Sequence, residues 1–297
     1  MKKNFKKSKF VILPALATLV LTGVASVTGT VAWFAASRNV DVTGMHLKAQ
    51  SSSNLLIAVS TTNATTKVAD ERFKSSLTWD NTNTATLTPA STIDGKNYFL
   101  SNVDIKGNGS IETPAKGTDK YKAPGSSDVA FIDFTVQMKA VNVKTEDCKI
   151  YVDQLDLKYN GGWAGSDGVK AFRVAFFTEK CVDEAFTNGP ATSSTAVIYE
   201  PAKTANFDPN KAVKDANSLD TVNYVSAATS LATVTKSSTE YFKTIIRVWL
   251  EGEDVNCTSD LFKNYSQDWS LDLGFTLGET TTETGSILNI QTSNPQA

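Results

Sequence analysis

The stretch KIYVDQLDLKYNGGWAGSDGVKAFRVAFFTEKC, residues Lys149–Cys181, alternates apolar and polar residues on both sides of a glycine-rich centre. Alternation with a period of two is typical of a β-strand that buries one face. Two such runs around a turn-rich connection predict a β-hairpin. The simplest register puts Tyr159 opposite Val169. Cys148 is then one position away from facing Cys181.

The same alternation recurs along the chain, with turn-rich joints between the runs. Short strands separated by turns are typical of an all-β antiparallel sandwich, and no break in composition marks a second domain. We therefore predict one sandwich domain over residues 51–297, with short helices in loops at residues 210–216 and 227–232. Strands are predicted at residues 54–60, 129–140, 149–159, 169–178, 241–251, 269–277 and 286–290.

The first 32 residues have the pattern of a signal peptide. Five lysines within the first nine residues precede an uncharged run over residues 10–37, and removing those five lysines changes the net charge from −2 to −7. Thr30 and Ala32 are small residues at the −3 and −1 positions of a cut before Trp33, and Gly23 with Ala25 offers a second cut. The rival interpretation is an uncleaved anchor, because the uncharged run is long enough to span a bilayer.

The sequence lacks the residue sets of zinc hydrolases, of histidine-dependent serine and cysteine hydrolases and of phosphate-binding loops. His46 is the single histidine, so a zinc site of the His-Glu-x-x-His type lacks its second imidazole. A serine or cysteine hydrolase would have to use this one histidine, which lies beside the leader. The glycine-rich loop at residues 159–168 lacks the lysine and hydroxyl residue of a phosphate-binding loop. We predict no enzyme activity, no cofactor and, because the body is acidic, no nucleic-acid partner.

Two oxygen-rich loops, at residues 104–110 and 252–260, are the candidates for a metal ion. Neither has the twelve-residue spacing and terminal glutamate of a helix-loop-helix calcium site, so calcium is only a secondary expectation. The carboxylates Glu251, Glu253 and Asp254 lie where the second loop begins. We expect them to be solvated in an acidic turn.

Three cysteines follow the leader, and an exported protein can form a disulfide. The predicted hairpin favours a bond between Cys148 and Cys181. A second candidate joins Cys181 to Cys257, because each of these residues follows a strand that begins with Arg-Val. Three unpaired thiols are the remaining interpretation, since connectivity cannot be deduced from sequence.

The residues after the leader predict a first strand in two pieces joined at a kink. Val40 and Val42 are at even-numbered positions, whereas Met45 and Leu47 are at odd-numbered positions. A straight strand would send the two pairs to opposite faces. A one-residue bulge or turn at Gly44 restores a common apolar face.

An apolar extension precedes this first strand if the leader is cut before Trp33. Burial of Trp33 or Phe34 stabilises the protein by roughly 1.5–3 kcal/mol for each side chain. An extension that exposes both side chains to water therefore favours association with another surface. We predict that residues 33–50 form an N-terminal extension and a donor-type strand. The predicted subunit-assembly residues are Trp33, Phe34, Val40, Val42, Met45 and Leu47.

These residues resemble the TasA/camelysin-type secreted proteins of Gram-positive biofilm matrices. The resemblance starts with G-T-x-A-x-F over residues 29–34, where that family is cut after the alanine, and continues with G-x-x-L-x-A over residues 44–49. The order of later strands is also similar, with DVAFIDFTVQMKAVN before CKIYVDQLDLKYN and FKTIIRVWLEG before WSLDLGFTL. The motif at the leader end is the more specific part of this likeness.

The resemblance implies a jelly-roll-like sandwich, processing by a dedicated signal peptidase and assembly into extracellular fibres. It also implies that the mature N-terminal segment is a donor strand that completes the sheet of the next subunit. We therefore expect a structural protein of the cell surface or biofilm matrix. Its expected partners are copies of itself and other matrix or cell-wall components, with membrane contact only through the leader before processing. The alternative is a membrane-anchored surface binding module that keeps its N-terminal helix.

Overall fold

In the computed structural model, the protein has an all-β fold. The structure describes residues 40–42, 46–51, 54–80, 85–101, 104–105, 111–112, 121–159, 171–200, 211–215, 218–222, 229–254, 257 and 269–279. Within these ranges, a 3₁₀ helix lies at Asp70–Arg72. The strands are β1 (Val40–Val42), β2 (His46–Ser51), β3 (Leu55–Ser60), β4 (Ser76–Asp80), β5 (Ala85–Leu87), β6 (Leu100–Ser101), β7 (Asp104–Ile105), β8 (Ile111–Glu112), β9 (Tyr121–Lys122), β10 (Ile132–Asn142), β11 (Cys148–Tyr159), β12 (Phe172–Lys180), β13 (Val197–Tyr199), β14 (Lys211–Asp215), β15 (Ser218–Thr221), β16 (Ser230–Val234), β17 (Ser238–Leu250) and β18 (Trp269–Glu279).

Ten of these strands form two five-stranded sheets. Sheet I has the strand order β13-β12-β17-β10-β3, and its neighbours are antiparallel. Sheet II has the order β16-β11-β18-β2-β4, and its neighbours are antiparallel except for β18 and β2, which run parallel. The other strands form the ladders β1-β5, β6-β9, β7-β8 and β14-β15.

The inner faces of the two sheets share one apolar core, which confirms the predicted all-β sandwich. Sheet I contributes alternate residues such as Phe176 and Ile246, and sheet II contributes residues such as Leu155 and Phe275. Phe176 meets Phe275 of the opposite sheet edge-on, with the ring centroids 6.3 Å apart. Its ring also meets Tyr199 edge-on at 5.6 Å. Side chains of the two sheets therefore interdigitate, as in other face-to-face sheet packings.

Successive strands of the two sheets alternate between them, except that β12 and β13 follow one another in sheet I. β2, β4, β11, β16 and β18 belong to sheet II, whereas β3, β10, β12, β13 and β17 belong to sheet I. The predicted hairpin is therefore wrong, because β11 and β12 lie in opposite sheets and Tyr159 pairs with Trp269. The period-two pattern identifies each strand and its apolar face, but it does not say which sheet the strand joins.

Six of the seven predicted strands are observed within a few residues of their expected bounds, as β3, β10, β11, β12, β17 and β18. The seventh, at residues 286–290, lies outside the described residues. The two predicted helices are wrong, because residues 211–215 form β14 and residues 230–234 form β16. β14 pairs with β15 and β16 pairs with β11, so ladder pairing outweighs a weak local preference for helix.

A β-bulge in β11 accounts for one glycine of sheet II. Val152 pairs with Phe275 and Gln154 pairs with Gly274, so Asp153 is an extra residue in the ladder. A Cβ atom on Gly274 would overlap Asp153 Oδ1 and lie 2.8 Å from Gln154 Cβ. The bulged strand therefore requires a glycine at this position.

The outer face of sheet I is covered by loops. Residues 88–100, called the strap below, contribute Tyr98 to a second apolar cluster with Phe177, Ile245 and Trp249 of that face. The Tyr98 and Trp249 rings meet edge-on with centroids 5.8 Å apart. The central strands of sheet I are therefore buried on both faces.

The core contacts of Phe176 predict a large loss of stability when its ring is removed. Phe176→Ala should lower the free energy of unfolding by about 3–5 kcal/mol, because the cavity lies between two well-packed sheets. Urea denaturation measures this change. The matched control, Val143→Ala, truncates a side chain that is 74% exposed and should change stability by no more than about 0.5 kcal/mol. Equal effects of the two variants would contradict the described core.

Candidate functional site

The N-terminal strands are the first candidate site, and both belong to ladders of this same chain. β1 pairs with β5, where Val40 faces Leu87, and Val42 ends the strand. β2 lies between β18 and β4, and its residue Leu47 faces Leu271 of β18. The two strand pieces that the sequence predicts are therefore both present.

The other predicted assembly and cleavage residues lie outside the described residues. These are Thr30, Ala32, Trp33, Phe34 and Met45. The predicted kink at Gly44 lies outside them as well.

β2 completes sheet II. It pairs with β18 along one edge and with β4 along the other. Ala49, near its middle, is fully buried in the main core. Only residues 52–54 connect β2 to β3, which is an edge strand of the other sheet. Without β2, the facing edges of β18 and β4 would each present unpaired backbone groups.

A shallow cleft of about 290 Å³ lies beside β3, at the edge of sheet I. Its lining residues are Ile57, Ala58, Val59, Glu71, Arg72, Lys74 and Leu77. Lys74 exchanges two backbone hydrogen bonds with Ile57, at 2.7 and 2.9 Å, and Arg72 Nη2 donates to the Val59 carbonyl at 3.3 Å. This chain's own residues thus cover part of the β3 edge, which blunts it against pairing with another strand.

The second candidate site is a buried group of ionisable side chains near the end of β17, called the acid–arginine cluster below. It contains Arg173, Glu200, Glu251 and Asp254, and none of these residues is more than 4% exposed. Arg173 Nη2 donates to Asp254 Oδ2 at 2.6 Å. Glu200 follows β13 at the position beside Arg173 in the β12–β13 register. One arginine therefore accompanies three buried carboxyl groups.

Glu251 is completely buried and accepts hydrogen bonds from three donors. The Ser91 hydroxyl donates to Oε1, the Glu253 amide donates to Oε1 at 3.3 Å, and Trp249 Nε1 donates to Oε2 at 3.3 Å. Burial raises the pKa of Glu251 to about 7, and the charge of Arg173 and the hydrogen bonds oppose this shift only in part. The Glu251 carboxyl group is therefore about half-ionised near neutral pH.

The expectation of a solvated acidic turn is wrong for two of its three carboxylates. Glu251 and Asp254 are 0% and 4% exposed, whereas Glu253 is partly exposed. The Gly252 amide donates to the Ala90 carbonyl at 3.1 Å, so the turn after β17 packs against the strap. That contact joins residues far apart in the sequence, and the local composition gives no sign of it.

Three further cations fasten loops onto sheet I. Lys243 is 1% exposed and donates to backbone carbonyls in the loops that follow β3 and β12. Lys96 of the strap donates to three carbonyls of the loop between β12 and β13. Arg247 forms a bidentate ion pair with Asp133, in which Nε lies 2.7 Å from Oδ1 and Nη2 lies 2.8 Å from Oδ2. Its Nη1 also donates to the Gly95 carbonyl at 2.9 Å. These cations thus satisfy carbonyls that the covering loops would otherwise leave unpaired.

The three cysteines are free thiols, which differs from both predicted disulfides. Cys148 begins β11 in sheet II and Cys181 follows β12 in sheet I, so the hairpin that would join them does not form. Cys181 and Cys257 lie beyond opposite ends of sheet I, because each follows one of two antiparallel strands. The nine-residue length of β12 corresponds to about 30 Å, far beyond the reach of a disulfide.

The described residues contain no group of His, Cys, Asp and Glu side chains that could hold a metal ion. His46 lies in β2, opposite Ser270 and Asp80. Calcium binding stays a prediction, because most of the loops at residues 104–110 and 252–260 lies outside the described residues. Within the part of the chain that the structure describes, no helix is long and apolar enough to cross a membrane.

Comparison with known proteins gives no relative of this chain: no family model, no curated protein and no solved structure matches it. The resemblance to TasA/camelysin-type proteins rests on the sequence motifs alone and stays a prediction.

The Arg173–Asp254 pair predicts a strong response to loss of the arginine. Arg173→Met should lower the free energy of unfolding by about 3–5 kcal/mol, because it leaves the Asp254 charge buried without its partner. The double variant Arg173→Met/Asp254→Asn should lose less than the sum of the two single variants, as measured by urea denaturation.

The matched control for this pair is Lys180→Met. Lys180 binds Glu240 at 2.7 Å with its side chain 49% exposed, so its removal should cost at most about 1 kcal/mol. A loss of the same size in Arg173→Met would contradict the buried pair.

The free thiols predict three labels per chain. Alkylation of the purified, denatured protein without a reductant should add three groups, as measured by intact mass. A mass that corresponds to one added group would show that two cysteines form a disulfide.

Proposed function

We propose that this protein is a secreted structural subunit that polymerises head-to-tail into fibres of the cell surface or biofilm matrix. Each subunit gives its N-terminal strand, residues 33–50, to the next. The observation that carries this proposal is the place of β2 between β18 and β4, where it completes sheet II.

An exchanged β2 makes the same contacts as a retained one. In a second copy, β2 would find the same partners in β18 and β4, and Ala49 would occupy the same buried position. Exchange of an identical element between copies is therefore a low-cost route to association. The balance between the closed monomer and the polymer then depends on residues 52–54 and on what else the donated segment contacts.

The apolar extension favours the polymer in this account. Trp33 and Phe34 precede β1 and travel with the donated strand, and each contributes roughly 1.5–3 kcal/mol when it is buried against a neighbour. A subunit that donates at one surface and accepts at another makes a head-to-tail contact, and such contacts give filaments when they do not close into a ring.

The leader supports secretion as the context of this assembly. A basic start, an uncharged run and small residues at Thr30 and Ala32 are typical of a signal peptide cut before Trp33. Cleavage there would free the extension for assembly outside the cell. The uncharged run over residues 10–37 also supports the second candidate, an anchored surface binding module. Intact mass of the cell-associated protein separates the two, since a chain that starts at Met1 supports the anchor.

We further propose that the sandwich is of the jelly-roll type. The support is that successive strands alternate between the two sheets everywhere except at β12 and β13, since a jelly roll folds two Greek keys across a pair of sheets. Resemblance to TasA/camelysin-type proteins supports the same arrangement.

Truncation of the donor segment tests the fibre proposal. A protein that starts at Trp33 should form filaments in negative-stain electron microscopy, whereas one that starts at Ser53 should form none, because it keeps the gap in sheet II but has no strand to give. Ala49→Asp in the longer protein should also prevent assembly, since it places a charge in the main core.

The matched control is Thr233→Asp, which places the same charge on an exposed position of β16 and should leave filaments intact. Filaments from the Ser53 protein in the same amount as from the Trp33 protein would refute the proposal.

A further inference from the structure

We propose that the strap is a pH-dependent cover of the outer face of sheet I, closed when Glu251 carries a proton and loosened when Glu251 is ionised. This inference concerns the strap and the acid–arginine cluster. It holds whether or not the protein forms fibres.

The strap is attached to the main chain next to Glu251. The Ala90 amide donates to the Leu250 carbonyl at 3.0 Å, and the Gly252 amide donates to the Ala90 carbonyl at 3.1 Å. The Ser91 hydroxyl donates to the Glu251 carboxyl group, and Ser91 is 2% exposed. The start of the strap therefore depends on the residue whose charge changes.

The strap covers an apolar surface that cannot be left open without cost. Its residues Ala90 and Tyr98 pack on Phe177 and Trp249. At its far turn, Gly95 has a φ of +67° and its carbonyl accepts from Arg247 at 2.9 Å. Arginine stays charged at all relevant pH values, so the far attachment does not respond to pH. Lys96 holds the middle of the strap through three carbonyls of the loop between β12 and β13. The attachment at Glu251 is made to a carboxyl group whose pKa is about 7.

The charge balance around Glu251 favours its protonated form in the closed strap. Arg173 is the cation that acts on Glu251, and its Nη2 already binds Asp254. Ionised Glu251 would share this arginine with Asp254 in a fully buried place, and two buried anions on one cation are poorly compensated.

The titratable and charged groups of the acid–arginine cluster and around Glu251 come from the strap, β9, β12, the end of β13 and the turn after β17. They are Tyr98, Tyr121, Arg173, Glu200, Glu253, Asp254 and Cys257. Burial raises the pKa of Tyr98, Tyr121 and Cys257, so these three stay neutral between pH 5 and 8. The pKa of Glu251, at about 7, lies within that range.

The pKa of Glu251 gives the sign and size of the effect. The closed form holds the proton up to about pH 7, whereas a solvated Glu251 releases it with a pKa of 4.5. The stabilisation of the closed strap is therefore complete below pH 4.5 and is lost as pH rises through about 7. Between pH 6 and pH 8 the population of the open strap should rise about tenfold.

Hydrogen exchange of the full-length protein tests this inference. Mass spectrometry of peptides that cover residues 88–101 should show exchange about tenfold faster at pH 8 than at pH 6, after correction for the intrinsic rates. Glu251→Gln, which stays neutral at both values, should remove this difference. Strap exchange that is independent of pH in the native protein, or that keeps its pH dependence in Glu251→Gln, would overturn the proposal.

Glu240→Gln is the matched control, because Glu240 lies at the other end of β17 and binds Lys180. It should leave the pH dependence of the strap unchanged. Ser91→Ala gives a second readout that leaves Glu251 itself unchanged. The Ser91 hydrogen bond lowers the pKa of Glu251, so its loss should move the midpoint of the exchange profile to higher pH. An unchanged midpoint in Ser91→Ala would also count against the proposal, including where Glu251→Gln fails to fold.

Discussion

Strand β17 packs on both of its faces, and the layers of the protein follow from that double burial. Side chains such as Ile246 enter the core between the sheets, while Ile245 and Trp249 lie under the strap. The same outer face carries Lys243 and Arg247, and cations can be buried only where acceptors surround them. The covering loops supply those acceptors through their backbone carbonyls, so the cations fix the loops and the loops shield the cations.

A second constraint acts in sheet II, where β2 is held along both edges. It is the parallel neighbour of β18 and the antiparallel neighbour of β4, so the sheet is interrupted whenever β2 is absent. The main chain leaves β2 directly for the other sheet, which separates this strand from the rest of sheet II along the sequence. β2 is required for sheet II, but the next strand in the sequence belongs to sheet I. Such a strand is suited to exchange between subunits.

The strands of the sandwich could be predicted from the sequence, because period-two alternation reports a buried face wherever a strand lies on the core. The pairing of strands could not, since β11 and β12 have the same pattern whether they share a sheet or face each other across the core. The disulfide between Cys148 and Cys181 was predicted from that false pairing. The two short helices were predicted from weak local propensity, which the ladders of β14 and β16 outweigh.

The assembly residues of the N-terminal strand could be predicted from the sequence to a greater extent than the acid–arginine cluster. Val40, Val42 and Leu47 lie in β1 and β2, where the parity of apolar residues places strands. Arg173 had one local signal, a charge in the apolar run FRVAFF, but its partner Asp254 lies 81 residues away. Burial of Glu251 depends on the strap, 160 residues earlier, and composition alone makes its turn look solvated.

Engineered cysteines at Ala49 of β2 and Leu77 of β4 test most directly whether β2 is exchanged between subunits. These residues face each other in the antiparallel register, so a disulfide between the introduced cysteines reports which chain supplies β2. With Cys148, Cys181 and Cys257 replaced by serine, we expect intrachain bonds from monomeric protein and a ladder of linked chains from filaments on a non-reducing gel. Neither variant that carries just one of the two introduced cysteines should give a ladder. Filaments whose bonds are all intrachain would contradict the account, because each subunit would then keep its own β2.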